Sequence, residues 1–212
     1  MFDKSVYVRR RKTLLAKMAN SAAEGKRGIA LFIGNAEAQY KDNCYKFRQD
    51  STWLYLFGID QPLYAAVIDL DNGEETIFAD DVEIGDIIWM GPQPSVASIA
   101  ASVGVEKSAP YKALDTLVAK AVNGGRPVHF IKPSRYYNTM RIASLIGCGN
   151  DEVAGKFSLA LTKAIISMRL VKEDCEIEVL DDAANLGYRM HTMARNCIVP
   201  GIIEQEIVGK ME

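Results

Sequence analysis

The sequence has only two histidines and four cysteines, and this scarcity excludes several kinds of site. His129 and His191 are too far apart to form the H-E-x-x-H arrangement of zinc enzymes, and neither adjoins a nucleophile-elbow sequence. No C-x-x-C pair or metal-ligand spacing occurs among the cysteines, which are Cys44, Cys148, Cys175 and Cys197. We therefore expect each cysteine to be a small buried hydrophobic residue rather than a reactive thiol.

Two further absences concern charge and long apolar runs. The 25 Lys and Arg residues nearly balance 27 Asp and Glu, which argues against a nucleic-acid partner bound by general phosphate neutralisation. No apolar run approaches the roughly 20 residues needed to span a bilayer, and the opening residues lack the apolar segment of a secretory signal. We therefore expect a cytoplasmic protein with no membrane partner, and a hydrophobic content of 49% gives it a sizeable core.

Hydrophobic patterning predicts alternating strands and helices over the first part of the chain. Ser5 is expected to cap a first helix with Val8, Leu15 and Met18 on one apolar face. The basic run at residues 9–12 lies in that helix and is predicted to be a solvated face, not a nucleic-acid or localisation signal.

Short β-branched and aromatic runs predict the strands, and Asn72-Gly73 predicts a hairpin between two of them. The predicted strands are 28–34, 53–57, 64–70, 76–79 and 128–131. Helices are predicted over 96–103 and 112–122, and a third begins at a Ser134 cap and ends at Gly147. These elements predict an α/β domain with a mixed sheet flanked by helices.

The last part of the chain is predicted to be almost wholly helical. Its apolar positions step by four and three along Val179, Ala183, Leu186, Met190, Met193 and Cys197. Such a broad apolar face must be buried against something. The helix is expected to end before Pro200-Gly201, and a second amphipathic segment starts at Ile202. Because that segment stops after one or two turns, we expect a truncated chain.

Candidate metal ligands in this region are few. They are Glu178, Asp181, Asp182 and His191. Since they are spread along a helix with an apolar face, we interpret them as its solvated side rather than as a metal site.

One segment resembles a known family signature. F-R-Q-D-S-T-W-L-Y-L-F-G-I at residues 47–59 is similar to F-R-Q-D-S-x-F-x-Y-L-T-G-F of aminopeptidase P, a family of Xaa-Pro aminopeptidases related to prolidase and creatinase. Weaker similarities follow the family order: R-R-R at 9–11, I-I-W-M-G at 87–91, R-L-V-K at 169–172, M-H at 190–191 and P-G-I-I-E-Q-E-I at 200–207.

The sequence departs from the family pattern in two places. Glu173-Asp174 replaces Ser-Pro in the linker, so Asp174 is expected to cap the following helix. Pro92-Gln93-Pro94 stands where basic residues are usual, which weakens any transfer of substrate contacts through this loop.

The resemblance implies an N-terminal domain of ribonuclease H-like topology, followed by a catalytic pita-bread domain. It divides the chain into an N-terminal α/β domain at 1–168 and, at 169–212, the linker and first helices of a truncated catalytic domain. Family members bind two divalent metals, usually manganese, through two Asp, one His and two Glu, which lie further along the chain. The resemblance therefore implies no catalytic or metal-binding residue in this chain, which alone is expected to be inactive.

For the intact protein, the resemblance implies a homo-oligomeric Xaa-Pro aminopeptidase that acts on peptides with proline at the second position. Trp89 matches a family tryptophan that helps to close the active site of a neighbouring subunit, although a half-buried packing role is an equal alternative. Arg48 and Asp50 could contact a ligand, but we favour a structural ion pair that orders the loop before Trp53. A prolidase-type dipeptidase and a free-standing, inactive interaction domain remain alternatives.

Overall fold

The chain forms two compact units in a computed structural model that describes residues 2–19 and 27–211. The first unit is Met1–Met168 and the second is Arg169–Glu212. The helices of the first unit are α1 (Lys4–Ala19), α2 (Ser51–Phe57), α3 (Ile84–Met90), α4 (Val96–Ser102), α5 (Ala113–Asn123), α6 (Tyr136–Ile146), α7 (Val153–Lys156) and α8 (Leu159–Arg169), of which only the last residue belongs to the second unit. Its strands are β1 (Ile29–Ile33), β2 (Gln39–Tyr40), β3 (Asn43–Cys44), β4 (Ala65–Asp69), β5 (Glu75–Phe78), β6 (Lys107–Ala109) and β7 (Val128–His129). The second unit holds α9 (Asp174–Cys197) and α10 (Glu204–Met211).

Five strands form one mixed sheet in the order β6-β5-β4-β1-β7. The β1–β4 and β4–β5 pairs are antiparallel, whereas β1–β7 and β5–β6 are parallel. The predicted hairpin is confirmed between β4 and β5, where Gly73 takes a φ of 78° that favours glycine. β2 and β3 form a separate two-stranded ribbon.

Alternate residues of the central strands face two hydrophobic cores. Phe32 and Ile68 pack in one core with residues of α1, α2, α4 and α8. Leu31 and Val67, their neighbours along the strands, pack in the other with residues of α5, α6 and α7. Because successive strand residues point to opposite faces, the sheet is covered on both sides. The predicted mixed sheet flanked by helices is confirmed.

The start of α1 corrects two details of the prediction. Ser5 lies inside the helix rather than at its cap, and its backbone N–H donates to the carboxylate of Asp3 at 2.8 Å. Of the predicted apolar face, Met18 is buried and Leu15 packs against the core, whereas Val8 is only partly buried. Leu14, outside the predicted face, is also buried.

Two other predicted caps are also wrong. α6 begins after Arg135, and no side chain, Ser134 included, caps it; it does end at Gly147, as predicted, with a φ of 69°. α9 begins after Glu173, whose N–H donates to the carboxylate of Glu176 at 3.0 Å in a reciprocal capping box. Asp174 is therefore the first residue of the helix rather than its cap.

The second unit is helical, as the apolar pattern predicts. α9 ends at Cys197, before Pro200-Gly201, and α10 begins with two acidic residues in its first turn. None of the helices in the described part of the chain combines the length and apolar character needed to cross a membrane.

Candidate functional site

Gln49 organises the loops around the segment that resembles the family signature. Its side-chain oxygen accepts hydrogen bonds from the N–H of Asn35 at 2.6 Å and of Asp50 at 2.9 Å. Its amide nitrogen donates to the carbonyl of Gln61 at 2.7 Å. The buried Gln49 therefore holds together the loop after β1 and the two loops that flank α2.

Asp50 is the cap of α2. One carboxylate oxygen accepts from the N–H groups of Thr52 and Trp53, both at 2.9 Å. The ion pair predicted between Arg48 and Asp50 is wrong, because the described structure forms no such pair and the Arg48 side chain is exposed. Asp50 instead satisfies backbone donors that the first turn of a helix leaves unpaired.

The strand predicted over residues 53–57 is wrong, since these residues belong to α2. Trp53, Leu56 and Phe57 are buried at helical spacing, and the indole N–H of Trp53 donates to the carbonyl of Ile59 at 2.8 Å. A five-residue apolar run has no periodicity that separates a strand from a buried helix. Gly58 ends α2 with a φ of 65°.

Two arginines of the basic run at residues 9–12 are buried, so the prediction of a solvated face is wrong for them. Arg10 donates to the carbonyl of Tyr55 at 3.0 Å, and its guanidinium lies 3.9 Å from the centre of the Tyr55 ring. Arg11 donates to the carbonyls of Leu56 and Val103, both at 2.9 Å. Both arginines thus satisfy carbonyl oxygens around the C-terminal turn of α2.

α3 presents apolar side chains to solvent. Ile84 is 83% exposed, Ile88 is 80% exposed and Trp89 is 88% exposed. The half-buried packing alternative for Trp89 is therefore wrong in this chain. The hydrophobic pattern does not predict α3, because none of its described side chains is buried and its apolar residues form no stripe along one face of the helix. The role of Trp89 in closing an active site stays a prediction.

The candidate metal ligands of α9 are exposed and separated. Asp181 and His191 are ten residues apart, which corresponds to about 15 Å along a helix. No group of three or more His, Cys, Asp or Glu residues in the described ranges could hold a metal ion. Glu178 and Asp182 are likewise exposed along the same helix.

The cysteines are more exposed than predicted. Cys44 is exposed, and the other three are partly exposed, so the prediction that they are buried is wrong. Cys175 and Cys197 lie on α9, none of whose residues is buried.

His129 has a structural role in unit 1. One ring nitrogen lies 2.9 Å from the hydroxyl of Ser158, and the other lies 2.9 Å from the carbonyl of Arg27. The Ser158 hydroxyl also accepts from the N–H of Leu161 at 3.2 Å, at the start of α8. The histidine is therefore oriented by a carbonyl rather than by a carboxylate, and its serine partner is a helix cap.

The first unit is thus an α/β domain whose mixed sheet is covered by helices on both faces. The family model of the aminopeptidase P N-terminal domain matches residues 7–129, which is more than half of the chain. The chain belongs to this family.

Curated relatives match almost the whole chain. The human Xaa-Pro dipeptidase is 25% identical over 98% of this chain and 42% of its own length. The Xaa-Pro aminopeptidase of Escherichia coli is 22% identical over 97% of this chain and 47% of its own length. This chain thus spans less than half the length of either relative.

Solved structures show the same fold. A variant of Escherichia coli aminopeptidase P superimposes with a TM-score of 0.79 at 20% identity. The match covers 100% of this chain and 49% of the variant's chain. Aminopeptidase PepP of Pseudomonas aeruginosa gives a TM-score of 0.79 at 21% identity, with 100% and 48% covered. The Escherichia coli enzyme has also been solved in a zinc-substituted form in complex with product.

Proposed function

We propose that this chain is the non-catalytic N-terminal portion of a dimetal Xaa-Pro aminopeptidase, which releases an N-terminal residue that precedes proline. The family match supports this proposal, as do relatives that are themselves Xaa-Pro peptidases. Residues 1–168 would form the N-terminal domain, and residues 169–212 would be the linker and the first helices of the catalytic domain.

The exposure of Trp89 is the observation that supports the proposed role of the N-terminal domain. Its indole ring is almost fully exposed on α3, beside the equally exposed Ile88. Burying such side chains against a partner gains about 25 cal/mol for each Å² of apolar surface removed from water. Tryptophan is also enriched among residues that dominate interface energy. We infer that Trp89 contacts a neighbouring subunit in a homo-oligomer and helps to close its active site.

We propose that the two divalent metals are manganese and that they bind to a catalytic domain that continues beyond residue 212. The described part of this chain offers no group of ligands that fits them. What this chain supplies is therefore positioning and interface, and the metals would supply activation of the water that attacks the scissile bond.

A dipeptidase function is the second candidate. The human Xaa-Pro dipeptidase matches as much of this chain as the aminopeptidase of Escherichia coli, with an identity of 25% against 22%. The substrate would then be an Xaa-Pro dipeptide instead of a longer peptide.

Peptidase activity and self-association of the same samples test the proposal. With added manganese, the 212-residue chain should release no residue from an Xaa-Pro-Xaa peptide, while the Escherichia coli enzyme serves as the active control. In sedimentation velocity, the chain should self-associate, and Trp89→Ala should weaken this about tenfold or more, as expected for a central interface residue. Tyr188→Ala, on the exposed surface of α9, is the matched control.

Two outcomes would contradict the proposal. Metal-dependent release by the chain alone would show that it contains catalytic machinery, and a strictly monomeric chain would remove the interface role of Trp89. The coding sequence beyond Glu212 adds an independent test. We expect it to carry Asp, Asp, His, Glu and Glu in that order, and a continuation without them would favour the free-standing interaction domain.

A further inference from the structure

A cleft in the first unit has no part in the function proposed above. It has a volume of about 380 Å³ and runs between the β2–β3 ribbon and the beginning of α6. Tyr45 and Phe47 line it from the side of the ribbon, and Tyr136 and Tyr137 line it from α6. Its volume falls in the range of ligand sites.

Three cations line this cleft. Lys46, Arg48 and Arg135 are all exposed, and the described structure pairs none of their side chains with a carboxylate. Glu37 is the single acidic residue of the lining, and its carboxylate lies 3.5 Å from the thiol of Cys44, which donates to it. The lining therefore carries a net positive charge, although the chain as a whole is slightly negative.

The positive character extends to the backbone at one end of the cleft. α6 begins at Tyr136 with no acidic residue in its first turn and no side-chain cap. The N-terminus of a helix has a partial positive charge, which adds to the field of the neighbouring Arg135. This contribution is secondary to that of the three side chains.

The aromatic residues indicate which kind of anion fits. Tyr45 and Tyr136 are 60% and 67% exposed, and Tyr45 also contacts Tyr40, with ring centres 5.6 Å apart. Tyrosine and arginine are the residue types that favour protein and peptide contacts, because they combine a large apolar surface with fixed polar groups. A small inorganic anion would use the arginines and leave the tyrosine rings without contact.

We propose that this cleft binds an acidic peptide segment, with its carboxylates on Arg48 and Arg135 and its backbone against the tyrosine rings. Arginine forms strong, often bidentate, hydrogen bonds with carboxylates. A nucleic acid fits less well, because its affinity depends on many neutralised phosphates and this cleft offers three cations. Phe47 and Arg48 belong both to this lining and to the signature segment at 47–59.

Binding of a labelled acidic peptide to the full 212-residue chain tests the proposal without any catalytic step. Fluorescence anisotropy compares a fluorescein-labelled hexaglutamate with the equally labelled hexaglutamine. Hexaglutamate should bind at least about tenfold more tightly, and added salt should weaken its binding. Arg48→Gln and Arg135→Gln should each reduce the affinity for hexaglutamate about tenfold, the scale of one lost hydrogen bond to a charged group.

Arg189→Gln, on the exposed surface of α9, is the matched control and should leave the affinity unchanged. Circular dichroism of each variant separates a loss of binding from a loss of folding. Equal affinity for the two peptides, no binding up to about 1 mM peptide, or equal effects of Arg48→Gln and Arg189→Gln would overturn the proposal. Tighter binding of a single-stranded oligothymidylate than of hexaglutamate would also overturn it and assign the cleft to nucleic acid. Because these readouts need neither metal nor oligomer, their failure is distinguishable from a failure of the proposed peptidase function.

Discussion

At the scale of single residues, Arg11 joins α1 to three other segments of the first unit. Its guanidinium donates to two backbone carbonyls and, at 2.7 Å, to the carboxylate of Glu75 on β5. The Arg11 side chain is fully buried and that of Glu75 is 21% exposed. Burial raises the pKa of Glu75, although the positive charge of Arg11 opposes this increase. The pair is therefore tolerated in the core only because each charge satisfies the other.

Arg11→Ala should consequently destabilise the protein by about 3–5 kcal/mol, since it leaves a buried carboxylate and two carbonyls unpaired. Urea unfolding, followed by circular dichroism, measures this change. The loss of stability in this variant should be smaller at acidic pH, because a protonated Glu75 has no charge that needs a partner in the core. Lys17→Ala, at an exposed position near the end of the same helix, should change the stability by less than about 0.5 kcal/mol. Similar losses for the two variants would contradict a core role for Arg11.

The buried arginines also show a feature that the sequence alone does not predict. A run of basic residues on a helix is normally solvated, and only the tertiary structure brings unpaired carbonyls to Arg10 and Arg11. In contrast, the Asp50-Ser51 pair before the apolar run of α2 is a helix-start signal that the sequence does contain. The strand predicted at 53–57 rests on the aromatic and apolar composition of that run and neglects the helix-start signal.

At the scale of elements, a bidentate ion pair connects α5 with α6. The two guanidinium nitrogens of Arg141 each donate to one carboxylate oxygen of Asp115, both at 2.8 Å. Arg141 also lies over the ring of Tyr111, at 5.1 Å from its centre. The hydrogen bonds from Arg141 lower the pKa of Asp115 below its usual value, and this is the largest cause of the shift.

Asp115→Asn should therefore destabilise the protein by about 0.5–1 kcal/mol near pH 7, a small value because 46% of the Asp115 side chain is exposed. Since the pKa is lower in the folded than in the unfolded state, the pair stabilises the fold above the ordinary aspartate pKa of about 4. That stabilisation is lost as the pH falls through the folded pKa, so the variant and the parent should then have equal stability. Urea unfolding across this pH range checks the prediction, and a difference that persists at low pH would contradict it. Asp151→Asn, at an exposed position outside this pair, is the control.

At the scale of the whole molecule, short-range patterns account for much of the first unit. The Asn72-Gly73 turn fixes the β4–β5 hairpin, and the alternation along β1 and β4 fits a sheet with a core on each face. The strand order and the parallel β1–β7 pair depend on contacts between distant segments, which patterning does not contain. The cleft at Arg48 cannot be predicted for the same reason, because Arg135 and Tyr136 reach it only through the fold.

The positions of the buried residues predict which part of the chain determines its thermal stability. Both hydrophobic cores consist of residues of the first unit, and no described residue of α9 or α10 is buried. A chain that ends at Met168 should therefore keep a single cooperative thermal transition, with a midpoint within about 3 °C of the full chain. It should lose the helical signal of the 24 residues of α9 and the 8 residues of α10. Calorimetry and far-ultraviolet circular dichroism measure the two quantities. A broad or absent transition in the shortened chain would show that the second unit, Arg169–Glu212, stabilises the first.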